Sequence, residues 1–117
     1  MPPVVNHLNE SEVRQYRETV LAALRDLSQG SVPFLVGVRR LASLAGDMRE
    51  RDPEFDLLVA IESETDHLPN ESAKRFCSAA WLKKCEEEEQ QVEAVYKEQV
   101  VLMCAKLTAR FSSPPSL

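Results

Sequence analysis

The stretch "RDPEFDLLVAIESETDHLP", residues 51–69, decides between an all-helical protein and one that contains a sheet. Its apolar run, "LLVAI" at 57–61, is short enough to be a buried strand, and periodicity alone does not separate the two readings at that length. What precedes the run decides it. Asp52 followed by Pro53 is a helix start: a carboxylate that can accept from free backbone N–H groups, then a proline where a missing N–H costs nothing. Glu54 and Asp56 add negative charge at the end where the helix dipole favours it. The reading is therefore helix, with Pro69 expected to end it near residue 67 or 68.

The same punctuation recurs on both sides. A first helix is expected over residues 10–28, with Asn9 as its cap and Glu12 completing a capping box. Val13, Tyr16, Val20, Leu24 and Leu27 recur at steps of three or four and form one apolar stripe, and Gly30 is placed to terminate it. A second helix is expected to open at "SVPF" (31–34), with Pro33 in its first turn. Phe34, Leu35, Val38, Leu41, Ala42 and Ala45 form its buried face. The last helix, capped by Ser72 or Ser78, carries Leu82, Cys85, Val92, Tyr96, Val100, Met103, Leu107 and Phe111. Some 30 residues of pattern correspond to about 45 Å of helix, more than the width of a small bundle. The expected fold is all-α: a single domain, 1–117, of about four helices with a long C-terminal helix and flexible ends at 1–8 and 112–117.

Composition narrows the function. The chain has 117 residues, 44% of them hydrophobic, enough to build one core. Its three glycines argue against a glycine-cradled nucleotide site, and its net charge of −5 argues against general nucleic-acid binding, which needs a basic surface. The start "MPPVVNHLNE" has no basic region followed by an apolar run, and nowhere do 18 apolar residues run together, so neither a secretory signal nor a membrane span is expected. Cys77, Cys85 and Cys104, without a CxxC pair, read as reduced structural thiols of a cytoplasmic protein.

Two stretches could carry function. In "ESETDH" (62–67), Glu64 and His67 stand at the i, i+3 spacing with which a helix can offer a carboxylate and an imidazole to one metal. Bundle di-metal sites need two such pairs and further glutamates; here the other histidine is His7, in the N-terminal arm. No metal or other cofactor is expected, and a metal-dependent enzyme using Glu64 and His67 is the lesser alternative. Thr65 and Asp66 can bond to nearby backbone at a helix end, and a protonated His67 could face the terminal carbonyls. The second stretch, "KKCEEEEQQVE" (83–93), is either a solvated helix face or an acidic patch that steers a basic partner. Arg39 and Arg40, with Arg49 and Arg51, are expected to pair internally with these acids.

Residues 52–69, followed by Trp81 and the glutamate-rich helix, resemble a family of small bacterial proteins known mainly as a domain of unknown function. The resemblance rests on an acidic-Ser-Glu-Thr-Asp-x-Leu-Pro core, here Glu62, Ser63, Glu64, Thr65, Asp66, Leu68 and Pro69. It is joined by "GVRRLASL" (37–44) and spans about residues 30–110. "NESAKRFCSAA" (70–80) and the cysteines mark a diverged member. The motif brings no chemistry with it. Small acidic proteins of this type often act as immunity proteins against toxins. The leading expectation is thus a non-enzymatic, cytoplasmic protein-binding module that neutralises a toxin with a basic surface. Glu62, Glu64, Asp66, His67, Glu86, Glu87, Glu88 and Glu89 are its expected partner-facing residues. A homodimer through the apolar residues Val100–Met103 is the other alternative.

Overall fold

The computed structural model describes residues 10–47 and 52–112. Its helices are α1 (Glu10–Gln29), α2 (Phe34–Gly46), α3 (Asp56–Glu64), the single turn α4 (Glu71–Lys74) and α5 (Ala79–Ser112). Among the described residues there is no strand. The deciding stretch is helical, and it starts where the proline says. The Asp52 carboxylate accepts from the Glu54 N–H at 2.9 Å, opening a 3-10 turn over Pro53–Phe55 that runs straight into α3. The expected cap Asn9, together with His7, Arg49 and Arg51, lies outside the described residues. Ser112, assigned above to a flexible tail, is the last residue of α5.

α1 lies along α5 and against α2, and α3 packs on α2. The stripe of α1 enters the core at Tyr16, Val20, Leu24 and Leu27, and that of α2 at Leu35, Val38, Leu41, Ala42 and Ala45. Each fully buried leucine removes enough apolar surface from water to contribute about 1.5–3 kcal/mol. α1 stops because Gly30 takes φ +72°, a conformation that costs an L side chain energy, while Ser31 N–H reaches back to the Asp26 carbonyl at 3.0 Å. Gly37 sets the approach of α2 to α1: a Cβ there would meet Leu27 Cδ1 at 2.9 Å. The Tyr16 hydroxyl donates to the Leu44 carbonyl. Burial, and then the Asp47 charge, push this phenol up to about 12.

α3 ends three or four residues earlier than the proline implies. Its last residue is Glu64, and the Thr65 N–H and hydroxyl both donate to the Ile61 carbonyl, at 3.0 and 2.8 Å. Pro69 restricts only the residue before it. The chain turns sooner because the turn carries Leu68 into the core, 5% exposed, with its N–H on the Thr65 carbonyl at 3.0 Å. The carbonyls left at this turn are taken by α2: Arg39 donates to Thr65 O at 2.8 Å and to Leu68 O at 3.0 Å. Asn70 then caps α4, accepting from Ala73 N–H at 2.8 Å.

Ser78, not Ser72, caps α5, its hydroxyl accepting from Trp81 N–H at 3.2 Å. The helix runs unbroken for 34 residues, about 51 Å, in a molecule 54 Å in its longest dimension. Four of its five buried residues (Val100, Met103, Cys104 and Leu107) fall in the C-terminal half; Cys85 is the fifth. There the Phe111 ring meets Phe55 edge-on at 6.1 Å, Arg17 donates to the Phe111 carbonyl, and Arg110 pairs with Asp52 at 2.6 Å. In the N-terminal half of α5 Cys85 alone is buried, and Val92 is partly covered by the core. It is this half that carries the candidate residues.

Candidate functional site

The two acidic stretches lie far apart in sequence and meet in space. His67 pairs with Glu88, and the Tyr96 hydroxyl donates to Glu64 Oε2 at 2.6 Å. The links join the last residue of α3 and the turn after it to one face of α5. The side chains Glu64, Glu88, Gln91, Val92, Val95 and Tyr96 line an open groove of about 250 Å³. Val95, 65% exposed, is the most open apolar part of its floor. The bond to Glu64, followed by burial and the Glu64 charge, pushes the Tyr96 phenol up.

The structure does not gather the whole expected set. Successive residues of a helix point about 100° apart, so a run of four glutamates cannot form one patch. Glu88 lines the groove beside Glu64, whereas Glu89 turns to Lys74 at 3.2 Å, and Glu86 accepts from the Gln90 amide at 3.4 Å. Glu87 and Asp66 are exposed outside the groove, and Glu62 is half-buried on α3. Tyr96 belongs to the site although its spacing assigned it to the core stripe. It does both: the ring packs against the core while the hydroxyl reaches Glu64.

The expected pairing of Arg39 and Arg40 with the glutamate run does not form. Arg39 is held by the carbonyls at the end of α3, and Arg40 pairs with Asp26 of α1 at 3.3 Å. The cation that does meet the run is Lys74, between Glu71 at 2.8 Å and Glu89. Glu71, and Glu89 against an opposing desolvation, hold its ammonium above the ordinary value. A second groove, of about 340 Å³, lies on this side, lined by Leu35, Val36, Arg39, Asn70, Glu71, Ser72 and Glu89.

Glu64 and His67, the pair considered for a metal, bond to different residues of α5. Among the described residues no three His, Cys, Asp or Glu side chains are arranged to hold a metal ion. Cys85 and Cys104 are buried, and burial pushes the Cys104 thiol up to about 11, away from the thiolate needed for nucleophilic chemistry. No helix of the described residues is long and apolar enough to cross a membrane. The corner between α4 and α5 exposes Phe76 (80%), under the Arg75 guanidinium, and Trp81 (47%). No family model, curated protein or solved structure matches the chain.

Proposed function

We propose that this chain is a protein-binding module that carries out no reaction of its own and receives a basic partner on the N-terminal half of α5. The observation that carries this reading is the convergence of Glu64, His67 and Glu88 with Tyr96 around an open groove floored by valines. Apolar surface within an acidic rim suits recognition of a basic protein, the apolar part giving affinity and the charge giving rate and selectivity. Exposed Phe76 and Trp81 add aromatic anchors of the kind that dominate interface energies. The concrete form proposed is an immunity protein that occludes a toxin in the cytoplasm. This follows the acidic balance of the chain and the type of small bacterial protein that residues 30–110 resemble.

Co-expression with the product of the neighbouring gene tests it. The expected result is a stable complex and a neighbour that is toxic when this chain is missing. Replacing Glu64 and Glu88 by lysine should slow association at low salt and flatten its salt dependence. A neighbour that neither co-purifies nor harms the cell overturns the immunity reading. One observation favours a second reading, self-association: Val101 and Leu102 (61% exposed) are apolar and open on α5. Light scattering decides it, a mass independent of concentration and equal to one chain removing it.

A further inference from the structure

We propose that the groove between α3 and α5 is the seat of a single arginine side chain of the partner. The inference rests on the protein-binding reading and names the chemistry that its central site accepts. The size comes first. At about 250 Å³ the groove is smaller than the roughly 300–1,000 Å³ of sites for drug-sized molecules, so it has room for a side chain rather than a metabolite.

Its lining then sets the chemistry. The floor is apolar, Val92 and Val95, and would cover the aliphatic stem of a long side chain. Tyr96 adds an aromatic ring to the lining, a group that attracts cations. Glu64 and Glu88 stand on different helices at the rim, and each uses Oε2 for an internal partner, Tyr96 and His67 respectively. Both side chains line the groove, one from the end of α3 and one from α5. A guanidinium is flat and carries five fixed N–H donors, which suits a site with two carboxylates and an aromatic ring in its lining. A lysine ammonium is a compact, strongly hydrated point charge that gains less from such an arrangement. The internal bonds matter because they hold both carboxylates in place before the ligand arrives, which lowers the ordering cost of binding.

The larger groove lacks this character. It presents Arg39 beside Glu89, and both are already bonded within the chain, to carbonyls and to Lys74. A groove lined by a guanidinium as well as carboxylates repels as much as it attracts and selects no cation.

The test is an NMR titration of the full chain with two blocked tripeptides, acetyl-Gly-Arg-Gly-amide and its lysine counterpart. The expected result is a shift of amide signals confined to the groove residues, with the arginine peptide binding roughly tenfold tighter than the lysine peptide. Glu64→Gln should weaken the arginine peptide by a similar factor. Val95→Lys, at a solvent-exposed position that leaves the core intact, should fill the groove with a tethered cation and abolish the shifts. Equal shifts with both peptides, or shifts spread over Asp66, Glu86 and Glu87, overturn the proposal, because they describe a diffuse acidic surface. The two readings fail separately. A captured partner that binds Glu64→Gln and Val95→Lys as tightly as the native chain removes the arginine seat and leaves the binding function. A confined arginine response with no partner in co-expression does the reverse.

Discussion

The two ends of α5 are built from one continuous helix with one apolar stripe, yet they have different fates. From Val100 to Phe111 the stripe is covered by α1 and the Phe55 turn, and Val100, Met103, Cys104 and Leu107 are sealed. From Ala79 to Gln99 only Cys85 is buried; Val92 and Tyr96 are partly covered, and Trp81 and Val95 face solvent. A stripe at helical spacing becomes core only where another element reaches it. Where none does, the same residues form the floor of a groove, and the acids that make α5 amphipathic form its rim.

The largest effect should separate two leucines of this helix. Leu107→Ala, at a position with no exposure, should cost about 2–5 kcal/mol of unfolding free energy. Leu82→Ala, in the half-buried N-terminal part, should cost less than about 1 kcal/mol. Denaturant titration measures both, and equal losses would break the comparison. Gly37→Ala tests the platform beneath the covered end. The added methyl meets Leu27, and overpacking of this kind costs about 1–3 kcal/mol.

Next in size is Asp52, which anchors the C-terminal end of α5 through Arg110 while capping the turn before α3. Asp52→Ala should cost about 1 kcal/mol. Desolvation pushes its carboxyl up but is outweighed by the Glu54 N–H and the Arg110 guanidinium, which hold it below its ordinary value of 3.8. A lowered folded value means that its contribution is complete above that pH and is lost as acid takes it through the lowered value. Asp52→Asn, which keeps a capping oxygen, should flatten that acid limb. Tyr16 gives the opposite limb. Its phenol is raised from 10.0 to about 12, so stability it contributes below pH 10 is lost between those values. Tyr16→Phe should cost about 1 kcal/mol at neutral pH and remove that alkaline loss. The smallest effect belongs to the site: Glu64→Gln, on an exposed side chain, should change stability by less than about 0.5 kcal/mol. A larger loss would place the groove on the structural side of the comparison.

What the sequence made legible follows the reach of each signal. Asp52–Pro53, Gly30 and Ser78 act on backbone within a few residues, and each starts or stops a helix where its chemistry says; Pro33, expected in the first turn of α2, stands one residue before it as the N-cap. The end of α3 was misplaced because Arg39, 26 residues before Thr65, takes the carbonyls there, and nothing in a local pattern encodes that reach. Of the candidate residues, Glu64, His67 and Glu88 share a site, whereas Glu89 was drawn away by Lys74, a residue that no reading of the acidic run included. Tyr96 was legible as a stripe position and illegible as a ligand of Glu64, since one side chain serves both surfaces.

The most direct test of this division is residue-resolved native-state hydrogen exchange along α5. The amides of Met103, Cys104 and Leu107 should exchange only through global unfolding, and those of Glu86–Val92 through smaller openings that cost markedly less. Equal protection along the whole helix would contradict the account, because the N-terminal half of α5 would then belong to the core rather than to a partner.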